Sequence, residues 1–319
     1  MTGVRYAVVV PTLGRPSLVR LLETLAAQDG PPPDEVVLVD DRRTPQPPLD
    51  VDGPGPAVRV VRGFGRGPAA ARNLGWRLTT AEWVAFLDDD VELPAGWAAA
   101  LARDLSAAGP DVGGSQGRLH VPLPSGRRPT DWERGTAGLA DAAWATADMA
   151  YRRAALVQVA GFDERFGRAY REDADLALRV QRAGWRLVRG ERVAVHPVRP
   201  VDDWVSLRVQ AGNADDALMR RLHGRRWRVD AETGRGRLPC HAATVAAGVA
   251  GGALLLARRP RGAALAASAW TALTADFARR RIAPGPRDAA EVRRMLLTSA
   301  AIPFAAVAHR LRGEWRHRG

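Results

Sequence analysis

The chain of 319 residues contains one cysteine, Cys240, and no lysine. A single thiol excludes an intramolecular disulfide and a cysteine-built zinc site, and it reads as a small buried hydrophobe. Without lysine, all 47 basic residues are arginines. No lysine-bearing, glycine-rich phosphate loop can therefore follow the first strand, where the text runs Pro11-Thr12-Leu13-Gly14-Arg15-Pro16. Long hydrophobic runs are scarce as well. Ala7 to Val10 is too short for a signal peptide and leads into proline, so the expected workplace is the cytosol or its membrane face. Further on, Cys240–Ala257, Gly262–Ala275 and Met295–Ala308 are uncharged and apolar. Only the first, at 18 residues, approaches the roughly 20 that span a bilayer.

A composition 46% hydrophobic and 26% charged excludes a disordered, collagenous or fibrous chain, and the length suits two domains. The net charge of +12 is uneven. Residues 258–319 hold 13 arginines against Asp276, Asp288, Glu291 and Glu314, which leaves +3 for everything before them. A nearly neutral body with a basic tail suits an anionic surface, phospholipid or nucleic acid.

From residue 5 to about 120 strand and helix signals alternate. Tyr6 to Val10, Glu35 to Val39, Val58 to Val61 and Trp83 to Leu87 read as strands, and Ser17 is placed to cap the first helix. Helices are expected over Ala69 to Leu78 and from about Pro94. The pattern implies an α/β fold with a parallel sheet covered on both faces. Ligands of such sheets bind beyond the strands' carboxyl ends, which here carry Thr12, Asp40-Asp41 and Asp88-Asp89-Asp90. Residues 112–150 read as irregular, with Gly113, Gly114 and Gly117 and a mobile loop from Pro122 to Pro129. Further helices are expected over Arg152 to Val159 and Glu172 to Arg182, with a strand from Leu187 to Val195. A domain boundary is expected near Arg235, which divides residues 1–235 from a helical appendage, 236–319.

Three adjacent carboxylates at the end of a buried strand repel one another unless a cation relieves them, and hard oxygen ligands suit Mg2+ or Mn2+. A solvated acidic loop carries the same residues. Glu172-Asp173, with Asp175 nearby, opens a helix. Either the cluster complements the helix dipole, or it holds a carboxylate of raised pKa fit to accept a proton. Trp76, Trp83 and Trp185 read as core; Trp132 and Trp144 flank the irregular region as candidates for an acceptor site.

Five segments in order then resemble the family 2 glycosyltransferases: AVVVPTLGRPSLVRLLETLAAQ, EVVLVDD, GPAAARNLGW, FLDDDVELP, and ADMAYRRAALVQVAGFDERF followed by YREDADLALRVQRAGWR. The resemblance covers about residues 5–200. It implies the inverting GT-A fold: a Rossmann-like, mixed and mostly parallel sheet that takes a nucleotide-diphosphate sugar donor and a hydroxyl acceptor (a glycan, a lipid-linked molecule or a small molecule). By resemblance, Thr12, Asp41, Arg72, Asp88 and Asp89 lie on the donor side. Asp88 and Asp90 match the metal pair, and His196 matches a histidine that completes the metal site in some members. Asp173, in the pair with Glu172, matches the general base. Asp40-Asp41-Arg42-Arg43 departs from the usual DDGS or DDxS, which leaves the donor base open. A nucleotidyltransferase or a non-catalytic nucleotide-sugar or nucleic-acid binder are the competing readings; nucleic acid is not expected as a partner. For the appendage two readings stand. One is a hairpin on the inner leaflet, with Arg279 to Arg281 and the terminal arginines on headgroups, at a cell envelope where an acceptor is lipid-linked. The other is a helical subdomain packed on protein.

Overall fold

A computed structural model describes residues 3–49, 51 and 56–318. The chain runs through β1 (Tyr6–Thr12), α1 (Ser17–Ala26), β2 (Glu35–Asp40), β3 (Val58–Arg62), α2 (Pro68–Leu78), β4 (Trp83–Leu87) and α3 (Trp97–Ser106). It continues with β5 (Val112–His120), α4 (Asp131–Ala137), β6 (Asp148–Arg152), α5 (Arg153–Gln158), α6 (Glu172–Arg182) and β7 (Arg186–Val195). Helices α7 (Val205–Arg208), α8 (Asn213–His223), α9 (Trp227–Asp230), α10 (Leu238–Leu256), α11 (Pro260–Ile282) and α12 (Ala289–Arg316) follow.

The seven strands form one sheet in the order β3-β2-β1-β4-β6-β5-β7. β1 pairs in parallel with β2 and β4, β2 with β3, and β5 with β7; β6 runs antiparallel to both neighbours. Side chains alternate across a strand, and β1 uses both faces. Tyr6, Val8 and Val10 pack with Leu18, Leu21 and Leu25 of α1 and Trp97 and Leu101 of α3. Val9 packs on the other face with Ala69, Ala71 and Trp76 of α2 and Leu176 of α6. Burial on both faces is why β1, β2 and β4 read as continuous apolar runs.

Three local expectations need correcting. Ser17 does not cap α1: it is the first helical residue after Pro16, and its buried hydroxyl has no partner. Residues 112–120 are a nine-residue strand rather than irregular chain. Their glycines sit where a β-carbon would strike a neighbour, 2.6 Å from Trp185 at Gly113, 2.7 Å from Met149 at Gly114, and into the Asp148 carboxylate at Gly117. Close packing, not chain freedom, selects glycine there. Cys240 is exposed, not buried.

The residues pack as two compact units, and the division differs from a single break at Arg235. The first comprises residues 1–122, 137–198 and 230–232; the second gathers 123–136 and 199–229 together with 233–319. Within the second unit, Arg281 of α11 donates to Asp131 of α4 at 2.8 Å and to Thr298 and Ser299 of α12. Glu291 of α12 accepts from the Asp131 amide at 3.1 Å.

Candidate functional site

Three strands of the first unit end in polar groups at one rim. β4 closes on Asp88, Asp89 and Asp90, and the three carboxylates separate at once. Asp89 turns towards β1, where it accepts the Thr12 hydroxyl at 2.7 Å and Arg15 Nη1 at 2.8 Å. Both oxygens are thus engaged, and Asp89 and Thr12 lie 3% and 2% exposed as a brace between β1 and β4. Asp41 is engaged in the same way. Its two oxygens accept the Arg66 and Gly67 amides at 3.0 and 2.8 Å, which fixes the turn into α2. Arg42 folds back on Asp40 through Nε at 2.8 Å and Nη2 at 2.6 Å, and this pairing holds the Asp40 carboxyl below its ordinary range. The unusual Asp-Asp-Arg-Arg text therefore forms a local ion pair.

Asp88 and Asp90 point the other way. A short bridge joins Glu92 to Val195, each amide donating to the other's carbonyl at 2.8 and 2.9 Å. That bridge carries the end of β7 to the acidic turn, and His196 Nε2 comes 3.5 Å from Asp90 Oδ1. One donor atom from each of Asp88, Asp90 and His196 lies within 4.8 Å of the others. A cation about 2.1 Å from its ligands spaces them by up to about 4.2 Å, so a small contraction closes the set. His196 also leaves Nδ1 buried without a partner. Two carboxylates and an imidazole gathered this closely fit Mg2+ or Mn2+ by the chemistry of the donor set.

Arg72 of α2 links this turn to the start of α6. It is 1% exposed, and it donates through Nη2 to Asp88 at 2.7 Å and through Nη1 to Glu172 at 2.9 Å. Both of these nitrogens are thus spent on carboxylates. Beside Glu172, Asp173 accepts the Ala174 amide at 2.7 Å. Burial raises the Asp173 pKa, against the Ala174 bond and the charge of Arg72. Glu172 is pushed up to about 7, first by burial and then by Asp173, with Arg72 opposing. Two carboxylates, Asp88 and Glu172, therefore pair with one buried guanidinium, and Asp173 feels its charge. Arg171, just before the pair, has φ 75°, a strained value for a non-glycine residue.

The structure brings Asp88, Asp90, His196, Arg72, Glu172 and Asp173 into one connected cluster; Thr12, Asp41 and Asp89 brace its rim. Tyr151 of β6 is a neighbour that motif reading passed over. Its buried hydroxyl has no partner, and burial and the Asp173 charge keep it protonated. The only sequence signal was a tyrosine following Met149 and Ala150 in β6. Trp144 is buried, while Trp132 Nε1 donates to the Arg199 carbonyl at 3.0 Å.

Comparison with known proteins follows the same ground. The model of glycosyl transferase family 2 matches residues 7–174. The structure is similar to that of a mannosyltransferase from Pyrobaculum calidifontis, solved in complex with GDP-Man and Mn2+. The TM-score is 0.52 at 21% identity, over 98% of this chain and 88% of that one. Residues 1–349 of TarS from S. aureus, solved with UDP-GlcNAc, give a TM-score of 0.45 at 17% identity over 98% and 91% of the two chains. No curated protein matches the chain.

Proposed function

The chain belongs to glycosyl transferase family 2, and from that premise we propose a metal-dependent, inverting transfer of a monosaccharide from a nucleotide-diphosphate sugar to a hydroxyl acceptor. The observation that carries the reading is the continuous cluster from Asp88, Asp90 and His196 through Arg72 to Glu172 and Asp173. A divalent ion held by Asp88, Asp90 and His196 would supply positive charge opposite the departing diphosphate.

The protein's own groups account for the rest. Asp173 receives the proton of the acceptor hydroxyl as its oxygen bonds to the anomeric carbon and the bond from that carbon to the diphosphate breaks. Burial raises its proton affinity, the direction a general base requires. Arg72 fixes Asp88 and Glu172 in one geometry, so the donor-side and acceptor-side carboxylates hold a set distance. Asp41 and Asp89 act by shaping the rim, since their oxygens are already engaged. Residues 1–235 would contain the reacting groups, and a cytosolic workplace remains the expectation from sequence.

The Pyrobaculum mannosyltransferase was solved with GDP-Man and Mn2+, which makes a panel of GDP, UDP and dTDP sugars with Mn2+ the first assay. Asp90→Ala should nearly abolish transfer and remove the Mn2+ dependence of donor binding while circular dichroism is unchanged. Donor binding with the same Mn2+ dependence in that variant would overturn the assignment. His196→Ala should weaken the metal titration by less than Asp90→Ala does.

A further inference from the structure

We propose that the tip of the α10–α11 hairpin docks on an acidic phospholipid surface. Residues 233–275 contain no aspartate or glutamate, yet hold Arg235, Arg237, Arg258, Arg259 and Arg261. The last three sit at the turn between the helices and are exposed, and among the described residues no acid pairs with them. Leu255, Leu256 and Leu265 flank them at 67%, 87% and 75% exposure. Cationic heads beside bare leucines match an acidic lipid interface, where arginines meet phosphates and apolar side chains enter the acyl boundary.

The arginine run that charge alone would nominate is spent elsewhere. Arg279 and Arg280 pair with Asp276 at 3.3 and 2.7 Å, and Arg281 is buried against Asp131. The tip is also built rather than frayed. The Arg259 amide donates to the Leu254 carbonyl at 2.9 Å, and that of Arg258 to Leu255 at 3.0 Å. This closure places Arg258 at φ 55°, a left-handed position where helix ends favour glycine. Keeping arginine there at a conformational cost speaks for its side chain. Behind the turn Gly251 lies against Ala266 and Gly262 against Leu254, while Leu255, Leu256 and Leu265 stay exposed.

Other occupants fit less well. A second copy on the same surface would set arginines against arginines, and a nucleic acid would leave the leucines in water. α10 is long and apolar enough to cross a membrane, and it is mostly exposed. A span would leave the tip arginines on the far side, against the positive-inside tendency.

The test uses the full chain and sedimentation with vesicles, and no sugar transfer, so its failure is separate from that of the proposed activity. The chain should bind phosphatidylcholine vesicles containing phosphatidylglycerol and ignore pure phosphatidylcholine. Binding should fall as salt rises from about 0.1 to about 1 M. The variant R258S/R259S/R261S should lose on the order of 100-fold in partitioning, and L255S/L256S should bind more weakly than the parent. R279S/R280S should stay within about threefold, since those arginines already face Asp276. The arginines changed at 258, 259 and 261 have no acidic partner among the described residues, and Arg279 and Arg280 pair only at the exposed surface, so circular dichroism should match the parent. Four results would overturn the proposal: unaltered binding by the triple variant, equal binding to neutral vesicles, binding that resists salt as a span does, or no vesicle binding. A dimer that L255S/L256S dissociates, or an oligonucleotide bound in place of vesicles, would assign the tip to those partners instead.

Discussion

Asp173 and Glu172 are neighbours in sequence, and the proposed mechanism gives the proton-accepting role to Asp173. Asp173→Asn keeps the size of the side chain but cannot take the proton, so turnover should fall by about 10²–10⁴-fold. Donor affinity should stay near the parent value; loss of donor binding with a high residual rate would place Asp173 on the donor side. Glu172 offers a test without substrate. Its pKa rises from an ordinary 4.5 to about 7 in the fold, so the folded state resists its ionisation. Stability from this group is complete below about 4.5 and declines as pH climbs through 7. The difference is on the order of 3 kcal/mol, shared with Asp173. Melting temperatures of the metal-free protein should therefore fall between pH 5 and 8, and Glu172→Gln should flatten that slope. Parallel curves for the two proteins would contradict this account of the cluster.

The elements that set the site include two that motifs did not mark. β5 and β7 hold a buried polar cluster in which Arg192 donates to Asp148 at 2.8 Å and to the Ser115 carbonyl at 2.6 Å. Trp97 Nε1 donates to the other Asp148 oxygen at 2.9 Å. Gly117 makes room for that carboxylate. Gly117→Ala should destabilise the fold by about 1–3 kcal/mol through overpacking beside a buried ion pair, read as a lower urea midpoint with an unchanged slope. An unchanged midpoint would show that the strand can shift to admit the methyl group. β7 also delivers His196, and the Glu92–Val195 bridge decides where it arrives. Strand periodicity located β7, but the bridge pairs residues about a hundred positions apart and leaves no local pattern.

At the scale of the whole molecule, the second unit is not a tail added after residue 235. Gly313 of α12 lies so close to Ala214 of α8 that a β-carbon there would be 2.6 Å from its carbonyl oxygen. Asp131 meanwhile has Arg134 at 3.4 Å and, as its nearer cationic partner, Arg281 at 2.8 Å. Ending the chain at Arg235 would strip α8 of its cover and leave Asp131 without that charge. The truncated protein should therefore melt lower than the full chain or aggregate on gel filtration. A truncated chain with the parent's melting temperature would restore the simple boundary.

Sequence alone determined the first half of the sheet, because β1, β2 and β4 are buried on both faces and must be continuous apolar runs that end where polarity returns. It also nominated Asp88, Asp90, Asp173 and His196, because the motifs that hold them resemble those of a known family. Tertiary structure decided what each acid touches. Adjacent carboxylates at a turn point in different directions, so Asp89 faces Thr12 and Arg15 while its neighbours face His196 and Arg72. It likewise decided which arginines remain free. Charge counts along a chain do not distinguish Arg281, buried against Asp131, from Arg258, exposed at a turn. A charge acts through its partners, and those partners are brought together only by packing distant segments.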